Sequence, residues 1–181
     1  MKSEAEPDQV QYFPEGIFDD KPELDCFASD QYSSTLKFHQ EPSLWKLSQS
    51  EKPHIYRFMW IPSLETMFAC GLAKVVVRLT IEANGKASLT AEVAGETSTK
   101  ERSVTAEETA AFMYVVDSTE FWELPTRSKS RGLDGATWIT EGTRNGRYHV
   151  VVRWCPKDVA YRELGLHFLL KLAELPYEKI P

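Results

Sequence analysis

The sequence predicts a single α+β domain. It is an antiparallel sheet built from two β-hairpins plus an extra strand, with helices packed on one face. Three observations carry this. Two Asn-Gly pairs, Asn84-Gly85 and Asn145-Gly146, sit between runs of alternating apolar and polar residues, a strong short-range hairpin signal. Each hairpin is followed by a stretch with helical start signals and apolar periodicity. The composition, 181 residues with 42% hydrophobic and 12% aromatic content, is that of a chain able to bury a core. A lone hairpin is marginal in water, so these pieces must share that core, and helices laid on a sheet are the layer solution that provides it.

Residues 1–22 are polar, acidic and punctuated by proline. They read as a loosely ordered lead-in to a domain spanning 23–181, with Val10, Tyr12, Phe13, Ile17 and Phe18 able to reach the body. Short helical turns are expected over Phe27–Phe38. Glu41-Pro42-Ser43 offers another start, because proline suits the first helical turn. Ser48–Pro53 is a polar linker. Ile55–Ile61 (IYRFMWI) is a strand rich in aromatic and branched residues. Tyr56, Phe58 and Trp60 share one side of it, and Ile55, Arg57, Met59 and Ile61 the other. Leu72–Glu82 is a second strand. A three-residue bulged loop, Ala83-Asn84-Gly85, pairs Ile81 with Ala87, Leu79 with Leu89, Val77 with Ala91 and Val75 with Val93, placing eight apolar residues on one side.

Gly95–Arg102 is polar and reads as a mobile loop. Thr105 and Glu108 have the spacing of a capping box, which opens a helix running to about Val116. Phe121–Pro125 (FWELP) closes it with an apolar anchor, and Thr126–Gly132 is a basic, flexible run. A last helix is expected over about Asp158–Leu175, with Tyr161, Leu164, Phe168, Leu172 and Leu175 on one stripe. The two strand-turn-strand-helix units lie about 61 residues apart by their asparagines, Asn84 and Asn145. That spacing fits a duplication, but side-chain identity between the halves is too low to establish one.

The second hairpin, Ala136–Trp154, concentrates the polar chemistry. A two-residue loop at Asn145-Gly146 would mix apolar and charged groups on both faces. A three-residue loop, Arg144-Asn145-Gly146, gathers Trp138, Tyr148, Val150, Val152 and Trp154 on one face and Thr137, Glu141, Arg147, His149 and Arg153 on the other, with Ile139 and Val151 between them. The second register is preferred because a one-residue slip moves the whole apolar set to the wrong side.

In that register Glu141 faces His149. A carboxylate beside an imidazole can serve as an acid–base pair, with Arg153 as an anion clamp and Asp134 as a further candidate carboxylate. The structural alternatives are a cross-strand ion pair, an Arg153 packed over an aromatic ring, and an Asp134 that merely opens the turn. Arg147, Arg153, Tyr148 and Trp138 are the candidate binding residues. Trp60, Trp122, Trp138 and Trp154 could form an aromatic cleft or, more simply, pack the core. Cys155 reads as a buried, inert thiol. His39 and His54 lack companions at ligand spacing, so no metal is expected. No phosphate loop or G-x-S-x-G is present, and no cofactor is expected.

The segment Phe121–Leu175 resembles a group of uncharacterised bacterial proteins. Its marks are an FW-x-LP anchor, GLDGA-x-W, EG, G-x-YH, RW-x-P and a leucine-rich closing helix. Here they are Phe121, Trp122, Leu124 and Pro125; Gly132–Ala136 with Trp138; Glu141 and Gly142; Gly146, Tyr148 and His149; and Arg153, Trp154 and Pro156. The runs EPSLW at Glu41 and YRFMWIP at Tyr56 also fit, so the resemblance covers about two thirds of the chain. The sequence departs after Leu89, where VAGETST replaces a glycine-rich GGY segment. The resemblance implies no activity. Small acidic immunity proteins of bacterial toxins are of this general kind, by analogy.

A net charge of −6 argues against a nucleic-acid backbone as partner. The basic run Arg127–Arg131 lacks interleaved aromatics. Three scattered cysteines and no secretion or membrane segment point to the cytoplasm. Two functions follow. One is a non-catalytic protein-binding protein, such as an immunity or inhibitor protein whose acidic face masks a toxin or effector. The other is a small hydrolase or transferase with His149 as base, Glu141 as its orienting partner and Arg153 as anion clamp.

Overall fold

Strand β1 (His54–Pro62) is where the two hairpins meet. In the computed structural model, which describes residues 10–50, 54–71, 73–96, 99–128, 132 and 134–176, seven consecutive β1 residues, Ile55–Ile61, are buried. That pattern requires cover on both faces of the sheet. β1 pairs antiparallel with β2 (Val75–Ile81) on one side and with β5 (Ala136–Arg144) on the other. β2 pairs with β3 (Ala87–Val93), β3 with β4 (Lys100–Val104), and β5 with β6 (Arg147–Trp154). The sheet order is β4-β3-β2-β1-β5-β6. The expected α+β class is therefore found, with the extra strand at the centre.

Helix α4 (Ala106–Ser118) and helix α5 (Val159–Leu166), which runs on into a π-helical stretch His167–Leu172, belong to one hydrophobic cluster with the sheet. There Phe58 stacks on Phe168 at 5.5 Å, and Phe112 meets both Tyr56 and Phe168 edge-on. Gly165 permits this approach, since a Cβ there would lie 2.3 Å from the Trp138 ring. Helix α1 (Pro22–Phe38) supplies Leu36 to a second cluster on the opposite face, where Tyr12, Phe13 and Phe18 pack with Met59, Ile61, Val76, Ile139 and Val150. Helix α2 (Leu44–Ser50) also lies against β5 and β6. Helices thus cover both faces where one was expected.

Other elements differ from expectation for local reasons. Helix α1 is one 17-residue helix in place of short turns. Asp25, buried in its first turn, accepts backbone N–H groups from Gly16 and Phe18 at 2.7 Å each and so ties the preceding segment to the helix. Residues 1–9 of the expected lead-in lie outside the described residues, while Tyr12, Phe13 and Phe18 are core. Lys100–Val104, half inside the expected polar loop, is the edge strand β4. Its charged side chains hid it, yet Lys100 and Arg102 have partners. Arg102 donates to the Leu172 carbonyl, and Lys100 donates to the Ala173 carbonyl and pairs with Glu174. Cations there complement a helix C-terminus. No helix among the described residues is long and apolar enough to cross a membrane.

The first hairpin has the expected register, with Ile81 opposite Ala87 and Gly85 in the left-handed region at φ +84°. The second does not. Arg144 pairs with Arg147, Thr143 with Tyr148, Gly142 with His149, Glu141 with Val150 and Trp138 with Arg153. Asn145 (φ +55°) and Gly146 (φ +80°) are both left-handed, as a two-residue turn of this type demands. A two-residue turn is disfavoured only where one face of the hairpin is wet. With both faces covered, a mixture of apolar and charged groups on each is tolerable wherever the charges find partners.

The capping box forms as expected. Thr105 Oγ accepts from the Glu108 amide at 3.2 Å, and the Glu108 carboxylate accepts from the Thr105 amide at 2.8 Å. Hydrogen bonding from Arg102 first, then from Thr105, lowers the Glu108 pKa from 4.5 to about 2. The native state therefore releases this proton more readily than the unfolded chain. The linked stability is present above pH 4.5 and is lost as pH falls toward 2. Urea midpoints recorded across that window should fall more steeply for the native chain than for Glu108→Gln; parallel curves would refute the assignment.

Candidate functional site

The observed register takes apart the constellation predicted on the second hairpin. Glu141 sits opposite Val150, and His149 lies opposite Gly142 on the other face. Trp138 and Trp154 are likewise on opposite faces, because Trp138 faces Arg153 and Trp154 faces Thr137. The proposed acid–base pair of Glu141 and His149 with its Arg153 clamp does not exist, and the hydrolase or transferase reading loses its basis.

Glu141 belongs to a buried ionic network on the second face. A row runs across three strands, with Arg78 beside Arg57 and Arg57 beside Glu141. Arg57 Nε donates to Glu141 at 2.8 Å, and its Nη1 donates to Glu41 at 3.1 Å and to the Pro42 carbonyl at 2.8 Å. Arg78 Nε donates to the same Glu41 at 2.9 Å. Tyr148, predicted as a binding residue, donates its hydroxyl to Glu141 at 2.9 Å. Two guanidinium groups and two carboxylates thus sum to zero charge, and Glu41 offsets the repulsion between the neighbouring arginines. Arg57 and Glu141 are fully buried. Burial acts to lower the Arg57 pKa, but Glu141 and Glu41 outweigh it, so the guanidinium is held above its ordinary value. Burial pushes the Glu141 carboxyl up, against the pull of Arg57 and Tyr148. The Arg57, Glu41 and Glu141 side chains are closed to solvent, and the network reaches the surface at Arg78. The sequence reading missed Arg57, Arg78 and Glu41 as its members. The available signal was a charge inside the apolar run HIYRFMWIP, which must have a buried counter-charge.

The other polar groups of the hairpin strap the segment after α4 onto the outer strand. His149 Nε2 donates to the Leu124 carbonyl at 2.9 Å, and Arg147 donates to the Trp122 carbonyl at 2.7 Å. Arg153 donates to the Pro125 and Thr126 carbonyls, and the Val152 amide donates to Thr126 at 2.7 Å. This covers part of an edge that would otherwise present unpaired groups. Arg147 also lies over the Trp122 ring, and Arg153 over Tyr161. Gly142 matters here, since a Cβ would come within 2.7 Å of Phe121 and 3.1 Å of Tyr56. Desolvation lowers the His149 pKa, although its bond to Leu124 works the other way. Trp60 and Trp138 are core. Asp134 is exposed in the bend before β5. Cys155, expected to be buried, is exposed at the end of β6, with its backbone left-handed at φ +39°.

What remains open is a cleft of about 550 Å³ on the second face, between α1 and the adjoining ends of β1, β5 and β6. Leu24, Phe27 and Tyr32 of α1 form one wall, while Ile61, Val152 and Trp154 lie on the sheet side. Helix α3 (Leu64–Cys70) begins at its rim, where Pro62 and the N-cap Ser63 line the cleft. Arg127 closes one end, paired with Asp19 at 3.5 Å and Asp20 at 3.0 Å. Residues 129–131 of the basic run lie outside the described residues. Of the four tryptophans considered for an aromatic cleft, Trp154 alone is among its described lining residues.

Two outcomes follow. Arg57→Met leaves Glu41 and Glu141 with an uncompensated buried charge and should cost about 3–5 kcal/mol; adding Glu141→Met should recover part of that in a urea double-mutant cycle, and additive losses would contradict the coupling. Because His149 titrates below its ordinary value, its share of stability is present above pH 6.5 and declines as the solution is acidified through the depressed folded value. An NMR titration of the ring should show that depression, and an ordinary value would rule it out.

No protein-family model matches the chain, and no curated protein matches it at significance.

Proposed function

We propose that the protein is a non-catalytic binding protein that docks another protein at the cleft between α1 and the sheet. In this reading it is a cytoplasmic immunity or inhibitor protein that neutralises a bacterial toxin or effector, by analogy with small acidic immunity proteins. The observation that carries the docking is where apolar surface is left uncovered. Eight large hydrophobic side chains are exposed among the described residues. Five of them, Leu24, Phe27, Phe38, Leu64 and Phe68, belong to α1 and α3, and Leu24 and Phe27 line the cleft itself. Phe27 and Phe68 are 70% and 79% exposed. Exposed apolar side chains such as Leu24 and Phe27 on the wall of a concave surface are a usual mark of an interaction site. The hairpin's polar groups give no competing reading, because they are bound to carbonyls or buried in the Arg57 network.

The test is capture from native lysate at low salt with the unmodified chain and with Phe27→Asp. A stoichiometric protein partner should be retained by the first and lost by the second, while thermal unfolding of the two stays within a few degrees. Absence of any stoichiometric partner, or a partner indifferent to the substitution, would overturn the reading.

A further inference from the structure

The α1 wall of the cleft carries a charge pattern that narrows the chemistry of the partner, given the docking reading above. Residues 10–38 contain six acidic and two basic side chains. Three of the acids are already paired with backbone amides or a cation, and Asp30 accepts from the neutral Cys26 thiol at 3.7 Å. Asp25 is buried against backbone amides, and Asp19 and Asp20 hold Arg127 at the end of the cleft. Glu23 and Asp30 are both exposed, four residues before Phe27 and three after it. That spacing makes them surface neighbours of Phe27 on the helix.

We infer that the segment entering the cleft presents a lysine or arginine next to its apolar anchor. A side chain that covers Phe27 brings its own flanks beside the two carboxylates. A cationic flank gains their attraction, whereas an anionic flank meets repulsion. The Debye length is about 8 Å at physiological salt, so the selection acts on residues adjoining the anchor and not on distant ones. The net charge of −6 favours the same class of partner during approach.

Two capped hexapeptides with one anchor and opposite flanks, KKLFKK and EELFEE, test this by NMR titration of the isotope-labelled chain. KKLFKK should shift the Trp154 indole N–H and the Phe27 amide and should bind more tightly than its acidic twin at low salt, with the difference shrinking as salt is added. The exposed double substitution Glu23→Lys with Asp30→Lys should weaken KKLFKK by about tenfold and reverse the preference. Phe27→Ala should weaken both peptides. Equal binding of the two peptides, or no response to KKLFKK at Trp154, overturns the inference. A preserved charge preference with no effect of Phe27→Ala would instead count against the cleft as the docking surface.

Discussion

Arg57 is a full positive charge at the middle of the central strand, out of contact with water. A guanidinium in that position is tolerable only with its counter-charges and acceptors in place, and this requirement fixes much else. Glu141 must lie directly beside it, which sets the register of β5 against β1. Slipping β5 by one residue would swing the carboxylate to the opposite face, among Tyr56, Phe58 and Phe168. Glu41 must reach down from the connection between α1 and α2, which places both helices on the second face. Arg78 is admissible beside Arg57 because Glu41 bonds to both.

Burial on two faces also explains the second turn. The same dipeptide closes two hairpins in two ways. Asn84-Gly85 stands in a three-residue loop with Gly85 left-handed, whereas Asn145-Gly146 is the whole loop with both residues left-handed. In the first hairpin a mostly apolar side packs under α4 and α5, and segregation decides the register. In the second, each face is covered, so register follows from which charges can be satisfied. Glu141 goes to Arg57, while His149, Arg147 and Arg153 go to the carbonyls of Trp122–Thr126. Polar groups that look like chemistry in a linear reading serve as fasteners in three dimensions.

With those groups consumed, a concave surface lined by both apolar and polar side chains stays uncommitted. The α1 wall is held rigidly from beneath by Leu36, by Asp25 on the preceding loop and by the edge-on contacts of Phe18 and Tyr32. A preformed wall with exposed Leu24 and Phe27 suits recognition without rearrangement, since little ordering entropy remains to be lost on binding.

Local patterns fixed much of this protein before any fold was known. The Asn84-Gly85 turn, the apolar pairing of β2 with β3, the Thr105–Glu108 cap, the faces of β1 and the stripe of the last helix as far as Leu172 all depend on neighbours in sequence or on a single face, and each was legible there; Leu175, expected on that stripe, lies beyond the helix end. The strand Lys100–Val104, the continuity of α1, the cover on the second face and the register after Asn145 were not. Each is settled by groups far apart in the chain, as where Leu172 receives Arg102 or Glu41 meets Arg57. The cleft is of the same kind, because its walls come from α1, from β1 and from β5 and β6, which follow α1 by about a hundred residues. Periodicity reports that a side chain will be buried; only the packed structure decides against what, and for a charged side chain that partner determines the outcome.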